Sequence, residues 1–364
     1  MRFPEFSGEW SKDTLQNVVA FSNGKAHESC VDENGCYILV NSKFISTEGS
    51  VIKKATLQLS PLFKSQFVMV MSDLPNGKAL AKCFYIEEDN IYTLNQRICS
   101  FTTRNRNISR FLMYQINRNK YYLRYDDGIN QTNLKKGEVL ACPVFIPSIQ
   151  EQTKIATFIH LLDKRTATQN KIIEDLKKLK SAISLKILHS DSWEQFKIKD
   201  IASIGRGRVI SSIEISQQEN PLYPVYSSQT SNEGIMGYLD NYMFEGEYIS
   251  WTTDGANAGT VFYRNGKFNC TNVCGLLKLR NGFDTHFVSL VLSEATKKYV
   301  SINLANPKLM NNTMGNIQIR LPKFEEQKRI SIIFKKLQEL LDVQKHLLCK
   351  YSKQKQYLLH QMFI

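Results

Sequence analysis

The sequence predicts an α+β fold in which two globular domains, each of mixed strands with a helix, lie at opposite ends of an antiparallel two-helix coiled coil with pseudo-twofold symmetry. The first observation is a segment beginning at Pro147 that recurs at Pro322, with matching residues 175 positions apart. The second is a seven-residue apolar repeat in both copies. The third is a weaker match, at 183 positions, between the residues that precede each copy. Together these observations divide the chain into residues 1–146, 147–190, 191–321 and 322–364.

Both copies are predicted to be long helices. Each begins with proline, which favours the first turn of a helix, and neither contains glycine or a further proline. A helix of about 40 residues is roughly 60 Å long. The matching pairs are Pro147/Pro322, Glu151/Glu326, Gln152/Gln327, Lys154/Arg329, Ile155/Ile330, Leu162/Leu337 and Gln169/Gln344.

The heptad pattern predicts that the two helices pair with each other. One row of positions, seven residues apart, carries its clearly polar residue at Gln169 in the first helix and at Gln344 in the second. In an antiparallel pair the two glutamines would meet near the middle and fix the register by hydrogen bonding. The alternative is that each glutamine is merely tolerated at a solvated position of the seam.

Short β-branched and aromatic runs between polar turns predict the strands of each domain. The first domain is predicted to have strands at 37–46, 51–60, 67–71 and 91–103 and a helix at 108–122. The second is predicted to have strands at 223–228, 246–253, 259–264 and 273–279 and a helix at 286–300. The weaker repeat aligns Trp10 with Trp193 and Gly24 with Gly207, so the domains are expected to share a scaffold.

Composition limits the class of protein. A net charge of +13 favours a polyanionic partner, and the four segments carry +4, +4, 0 and +5, although a basic helix face is often only solvated. The eight cysteines fit reduced thiols, and only Cys270 and Cys274 lie close together, without a second pair at zinc spacing, so no metal site is predicted. Without an apolar run of about 18 residues or a signal peptide, no membrane association and a cytoplasmic location are expected.

The pattern P-x-x-x-E-Q-x-[KR]-I opens both long helices. Together with FSGEW at residues 6–10, YPVYSSQTSNEGIMGY at 223–238 and TTDGANAGTVFYR at 252–264, it resembles the specificity (S) subunits of type I restriction-modification systems. The resemblance covers the whole chain in the family's order: target recognition domain, central conserved helix, second target recognition domain and distal conserved helix.

The resemblance implies a non-catalytic subunit of a type I restriction endonuclease and adenine DNA methyltransferase complex. Each recognition domain would read one half of a bipartite, asymmetric target in double-stranded DNA, while the helices set the spacing and dock two methyltransferase subunits. Two restriction subunits would complete the complex. This chain would bind no cofactor, and S-adenosylmethionine, ATP and Mg²⁺ would belong to the partners. The residues expected to dock partners are Glu151, Gln152, Glu326 and Gln327.

The residues themselves agree with a chain that does no chemistry. There is no G-x-x-x-x-G-K-[ST] phosphate loop, and the Gly205-x-Gly207 pair lacks the third glycine of a dinucleotide motif. A coiled-coil adaptor whose two domains bind protein or carbohydrate is the alternative from another class. A stand-alone nuclease or methyltransferase is a third reading, which the missing motifs disfavour.

Candidate DNA contacts are polar side chains clustered in predicted loops. Arg and Lys suit guanine or phosphate, Asn and Gln suit adenine, and Ser and Thr suit either base or phosphate. The same residue types also favour ordinary turns, which is the alternative. In the second domain the candidates are Arg206, Arg208, Ser227, Ser228, Gln229, Thr230, Asn232, Trp251, Thr252, Thr253, Asp254 and Asn257. In the first domain they are Asn41, Ser42, Lys43, Arg97, Arg104, Arg106, Asn107, Asn130, Gln131 and Asn133.

Overall fold

A computed structural model describes residues 3–75, 77–104, 107–188, 190–301 and 306–363. The chain divides into two compact units. The first comprises residues 1–170 and 346–364, and the second comprises residues 171–345. Each unit therefore contains one globular part and one end of each long helix.

The first unit has two main sheets. A four-stranded sheet has the order β2-β9-β5-β7, and a three-stranded sheet has the order β4-β3-β8. Two-stranded pairs join β1 to β11 and β6 to β10. The strands are β1 (Ser11–Thr14), β2 (Val19–Asn23), β3 (Tyr37–Val40), β4 (Lys54–Ala55), β5 (Phe67–Val70), β6 (Ser72–Asp73), β7 (Cys83–Tyr85), β8 (Tyr92–Leu94), β9 (Ile98–Thr103), β10 (Thr132–Asn133) and β11 (Pro143–Ile146). The short helices are α1 (Leu15–Val18), α2 (Ser42–Ser46), α3 (Ser109–Ile116), α4 (Lys120–Leu123) and α5 (Lys136–Leu140).

The second unit is built on one six-stranded sheet of order β13-β18-β16-β17-β14-β15, with a separate pair of β12 and β19. Its strands are β12 (Glu194–Lys197), β13 (Ala202–Arg206), β14 (Tyr223–Tyr226), β15 (Ile235–Leu239), β16 (Phe244–Thr252), β17 (Val261–Cys270), β18 (Cys274–Leu279) and β19 (Gln318–Leu321). Its short helices are α7 (Ile198–Ile201), α8 (Ser212–Ser216), α9 (Thr285–Ala295) and α10 (Asn311–Asn316).

Both predicted long helices are present. The helix α6 spans Ile149–Ile187, and α11 spans Phe324–Phe363. Part of each heptad pattern is buried: Ile155, Ile159 and Leu162 are covered in α6, and Ile330, Phe334 and Leu341 are covered in α11. The apolar spacing therefore identified the face of each helix that packs inside the protein.

The two globular parts repeat the same scaffold. In the first unit Ser11 pairs with Ile146 and Thr14 with Pro143, and in the second unit Glu194 pairs with Leu321 and Lys197 with Gln318, which is the same register at the predicted separations. The Trp10 ring meets Phe111 edge to face at 5.9 Å, and the Trp193 ring meets Phe287 in the same way at 5.8 Å. The predicted duplication therefore extends to side-chain packing.

One buried glutamine at the start of each long helix joins the helix to its own globular part. The Gln152 side chain accepts a hydrogen bond from the Ile108 backbone N–H (3.0 Å) and donates one to the Pro147 carbonyl (3.0 Å). In the second unit Gln327 accepts from the Asp284 N–H (2.9 Å) and donates to the Pro322 carbonyl (2.9 Å). We call this arrangement the glutamine clamp.

The clamp corrects the prediction that the helix-opening motif docks partners. Gln152 and Gln327 are buried within their own units, and so is Glu151, which accepts a hydrogen bond from the Trp10 indole N–H at 3.2 Å. These side chains form their contacts inside the chain and are not accessible to another subunit. Only Glu326 is exposed, as the prediction requires.

Several predicted strands of the first unit are wrong or too long. Residues 42–46 form α2 because the Asn41 side chain accepts a hydrogen bond from the Phe44 N–H (2.9 Å) and caps that helix. Only Lys54–Ala55 of the segment 51–60 is a strand. The predicted helix 108–122 breaks into α3 and α4, with Arg118 between them at a φ of 56°. Tertiary packing overrides local propensity at these places.

Replacing the clamp glutamine with a residue of similar size but without its amide is expected to destabilise the fold. Gln152→Met or Gln327→Met leaves a buried carbonyl and a part-buried N–H without these partners, at a cost of about 1–3 kcal/mol in the free energy of unfolding. Denaturant unfolding measures the loss. The control is Gln354→Met, the same change at an exposed position of α11, where a change within about 0.5 kcal/mol is expected. Equal stability of all three variants would contradict the clamp.

Two neighbouring glycines provide a second test of the scaffold. A Cβ on Gly207 would lie 1.6 Å from the Cys270 carbonyl oxygen, whereas a Cβ on Gly205 meets nothing within 4 Å. Gly207→Ala must therefore shift the strands apart and is expected to lower the free energy of unfolding by about 1–3 kcal/mol. Gly205→Ala is the matched control. If thermal denaturation finds the two variants equally stable, the close approach of β13 to the end of β17 is wrong.

Candidate nucleic-acid interface

The densest predicted cluster forms a single loop between β14 and β15, residues 227–234. The Ser227 N–H donates to the Gly234 carbonyl (2.9 Å), and the Gln229 side-chain amide donates to the Ile235 carbonyl. Thr230 and Asn232 are exposed, while Ser227, Ser228 and Gln229 are half-buried. The chain thus places these candidates together, with two of them at the solvent-facing tip.

The 227–234 loop contains a run of left-handed backbone. Asn232 has φ 49°, Glu233 has φ 54° and Gly234 has φ 85°. Glycine adopts this region freely and asparagine tolerates it, but glutamate does so at a cost of about 1–2 kcal/mol. Contacts from elsewhere in the unit must therefore hold the loop in this shape.

One of these contacts comes from Arg264 on β17, a residue that is not among the DNA contacts predicted from the sequence. Arg264 is 4% exposed, and its guanidinium donates to the Glu233 carbonyl (2.8 Å) and to the Ser250 hydroxyl (2.9 Å). It also lies over the Tyr226 ring at 3.6 Å. Burial lowers the pKa of this group. A lone arginine in the otherwise apolar and aromatic run VFYR is the signal that could have indicated it.

Three predicted DNA contacts in the second unit are wrong because they belong to the core. Trp251 is fully buried, and its indole N–H donates to the Leu309 carbonyl at 2.9 Å. Thr252 is buried and its hydroxyl donates to the Asn257 carbonyl. Thr253 is also buried and donates to the Val273 carbonyl at 3.0 Å. Each polar group already has a partner, so none of the three can reach a base.

The turn that follows these residues keeps part of its predicted surface. Asn257 is exposed, and Asp254 is half-buried with its carboxylate 3.9 Å from the Lys308 ammonium. Gly259, at the end of this turn, is buried, and a Cβ there would lie 2.6 Å from a methyl group of Val300. That glycine is needed for packing inside the unit.

Arg206, the last residue of β13, and Arg208, just after it, already have partners within the unit. The Arg206 guanidinium donates to the Asn311 side chain at 2.9 Å. Exposed Arg208 donates to the Glu214 carboxylate at 2.9 Å, and this hydrogen bond raises the pKa of Arg208 and lowers the pKa of Glu214. Neutralised in this way, Arg208 attracts a phosphate less strongly than a free cation would.

In the first unit the candidates are spread over four places. Asn41 is used as the cap of α2, beside half-buried Ser42 and exposed Lys43. Arg97 is exposed on the turn between β8 and β9, at a φ of 65°. Arg104 is exposed after β9, the Asn107 side chain accepts a hydrogen bond from Gln152 (3.1 Å), and Arg106 lies outside the described residues.

The fourth place is the loop that leads into β10 together with that strand, where Asn130, Gln131 and, in the strand, Asn133 are all exposed. Asp127 organises this loop by accepting hydrogen bonds from the Ile129 and Asn130 backbone N–H groups and from the Asn130 side chain. The bonds from Asn130 come first among the causes that lower the pKa of Asp127 to about 2. The Gln131 amide donates to the Ser72 hydroxyl at 2.8 Å. Asn133 has the least restricted side chain of the three.

Other classes of site receive little support in the described part of the chain. It contains no group of three or more His, Cys, Asp or Glu side chains placed to hold a metal ion. Cys270 and Cys274 are free thiols and are both buried. No helix within these same residues has the length and apolar character needed to cross a membrane.

Comparison with known proteins identifies the family. A model described as the type I restriction modification DNA specificity domain matches residues 7–178 and again residues 190–350. A putative type I specificity subunit of Mycoplasma pneumoniae (S.MpnORF201P) is 37% identical over 195 residues, which is 52% of this chain and 81% of that protein. The MpnII type I restriction enzyme specificity subunit of the same organism is 43% identical over 143 residues, 39% of this chain and 42% of its own.

A solved structure shows the same fold at low sequence identity. The crystal structure of a type I restriction-modification S subunit from M. genitalium has a TM-score of 0.73 and 17% identity, and the match covers 100% of this chain and 99% of that one. The family model matches most of the chain in two successive copies, in agreement with the duplicated scaffold. The resemblance inferred from the helix-opening motif is confirmed, and this chain belongs to the type I restriction-modification specificity subunit family.

Proposed function

We propose that this chain is the sequence-specific DNA-recognition subunit of a type I restriction-modification complex. Each globular domain reads one half of a bipartite, asymmetric target in double-stranded DNA. The observation that carries the proposal is a repeated scaffold that bears unlike polar loops. The strand pair β1–β11 of the first domain has the same register as the pair β12–β19 of the second, and each domain has a glutamine clamp. The two domains differ in their main sheets: the first domain has a four-stranded and a three-stranded sheet, and the second has one six-stranded sheet.

This combination suits a target with two unlike halves. Equal scaffolds present their loops in equivalent ways, while different loop sequences contact different bases. The 227–234 loop presents Thr230 and Asn232, whereas the loop leading into β10 presents Asn130, Gln131 and Asn133. Amide side chains such as these form paired hydrogen bonds with adenine in the major groove. The helical segments 147–190 and 322–364, with net charges of +4 and +5, contribute favourable long-range attraction to the phosphates.

The long helices are proposed to pair antiparallel and to set the distance between the two half-sites. Within the first unit Asp163 of α6 forms an ion pair with Lys355 of α11, and the Arg165 guanidinium lies 4.9 Å from the centre of the Tyr351 ring. Within the second unit Lys180 donates to Gln338 at 2.7 Å. A later residue of α6 thus meets an earlier residue of α11, as antiparallel helices require. Gln169 and Gln344 remain the proposed register-setting pair of this seam.

A helix pair of this length limits the separation of the two half-sites. The 39 residues of α6 rise about 1.5 Å each, or roughly 60 Å in total. At about 3.4 Å per base pair, the two recognition domains could be at most roughly 18 base pairs apart. A non-specific spacer shorter than this limit is therefore expected in the target.

The partners are proposed to be two methyltransferase subunits and two restriction subunits, with S-adenosylmethionine, ATP and Mg²⁺ held by them and catalysis carried out by them in the cytoplasm. Exposed apolar side chains on the long helices support a docking role, since isolated surface helices are usually polar outside their buried stripe. In α6 these are Leu161, Ile172, Leu179 and Leu185, and in α11 they are Ile332, Ile333, Leu340, Val343 and Tyr357. They replace the buried motif residues as candidates, together with Glu326.

The proposal predicts that exchanging one domain changes one half of the target. Residues 191–321 are replaced with the same region of a related specificity subunit, and the chimera is expressed with its methyltransferase subunits in a host that lacks adenine methylation. Sequencing of methylated adenines reads the target. One half of the bipartite motif is expected to change while the other half and the spacer stay the same.

The reciprocal chimera, with residues 1–146 replaced, is the matched control and is expected to change the opposite half. A change in both halves from either exchange would contradict independent reading. Absence of any bipartite methylated motif with the unaltered chain and its cognate methyltransferase would contradict the proposed function and favour the adaptor reading.

A further inference from the structure

The 227–234 loop is held by a buried cation that the fold does not pair with an anion. Among the described residues, none of the ion pairs includes Arg264. The residue is 4% exposed, and the hydrogen-bond acceptors of its guanidinium are neutral: the Glu233 carbonyl and the Ser250 hydroxyl. Removing a cation from water without a counter-ion opposes folding, so the residue is unlike the usual stabilising core side chain.

The position of the acceptor explains what the cation does. The Glu233 carbonyl belongs to the left-handed run at 232–234, the part of the loop with the least favourable backbone. Tyr226, at the end of β14, lies 3.6 Å below the guanidinium, and Phe262 lies 4.4 Å from it. Arg264 is thus fixed on two aromatic rings and directs one donor to the strained segment. These contacts of Arg264 leave the side chains of Thr230 and Asn232 exposed.

Lysine would not replace arginine here. The planar guanidinium donates to Ser250 and to the Glu233 carbonyl through different nitrogen atoms while its face stacks on Tyr226. An ammonium group offers no flat face and no fixed fork of donors. Gly234 is matched to the same contact, since a Cβ there would lie 3.2 Å from the guanidinium.

We propose that Arg264 is a positioning residue for DNA recognition. It holds the 227–234 loop, with its left-handed backbone at 232–234, in the shape that presents Thr230 and Asn232 to one half of the target. This inference rests on the proposed function. Loops held in strained backbone conformations by surrounding structure are concentrated at functional sites, because a fixed loop loses less conformational entropy on binding.

The test compares full-length variants in complex with the methyltransferase subunits. Methylation of a DNA library with both half-sites randomised gives the base preference at each half. Arg264→Met and Arg264→Lys are expected to reduce discrimination about tenfold at the half read by the second domain, the size of one lost base contact. Discrimination at the other half is expected to stay the same. Arg280→Met, at an exposed position of the same unit, is the charge-matched control and is expected to change neither half.

A second pair of variants tests the backbone shape without disturbing the core, because the Glu233 side chain is exposed. Glu233→Val and Glu233→Asn remove the same charge, but valine opposes the left-handed region whereas asparagine tolerates it. Valine is expected to reduce discrimination at the second-domain half, and asparagine is expected to preserve it. This pair tests the loop shape on which the proposal depends even if Arg264→Met does not fold.

The outcomes separate the inference from the function on which it rests. Equal effects of valine and asparagine, or unchanged half-site preference in a folded Arg264→Met variant, would overturn the positioning role. A complex of the unaltered chain without preference at either half would instead refute the proposed function. Far-ultraviolet circular dichroism and the thermal midpoint of each variant establish that it is folded before its preference is measured.

Discussion

The glutamine clamp is the interaction on which the rest of this fold depends. A single buried amide at the start of each long helix satisfies one backbone donor of the globular part and one backbone acceptor of the chain that enters the helix. The proline carbonyl is buried and the N–H is part-buried, so leaving either without a partner would cost free energy of folding. The clamp occurs twice, at Gln152 and Gln327, so each globular part is joined to its helix by the same geometry.

A rigid joint of this kind gives the variable loops a constant frame. The scaffold around each clamp repeats in register and in aromatic packing, with Trp10 on Phe111 and Trp193 on Phe287. The parts that differ are the sheets and the loops they carry. In the second unit Arg264 also holds the polar loop. The long helix therefore positions the scaffold, the scaffold positions Arg264, and Arg264 positions the loop that carries the exposed side chains. Differences in loop sequence can then alter recognition without altering the frame.

The periodic features could be predicted from the sequence because their physical causes are periodic. The heptad positions mark the buried face of each long helix, and the constant separations of 175 and 183 residues mark equivalent strands, as at Ser11 and Glu194. The glutamines of the helix-opening motif were found but assigned to the wrong role. Their burial depends on contacts with Ile108 and Asp284, which lie more than 40 residues away in sequence.

The candidate interface was predicted less well, because residue type does not reveal burial. Trp251, Thr252 and Thr253 belong to a run of mostly polar residues, yet Trp251 and Thr252 end a central strand of a six-stranded sheet and buried Thr253 directly follows it. Asn41 resembles a base-reading residue and acts as a helix cap. Arg264 was overlooked since its importance comes from a carbonyl more than 30 residues earlier, in a backbone conformation that sequence does not indicate.

The central claim is that the helices set the spacing of two independently read half-sites, and a change of helix length tests it most directly. Seven residues, one heptad, are inserted after Asn170 in α6 and after Lys345 in α11, which preserves the seam while lengthening the pair by roughly 10 Å. Sequencing of methylated adenines should find both half-sites unchanged and the spacer longer by about three base pairs. An unchanged spacer in an active complex would contradict the account.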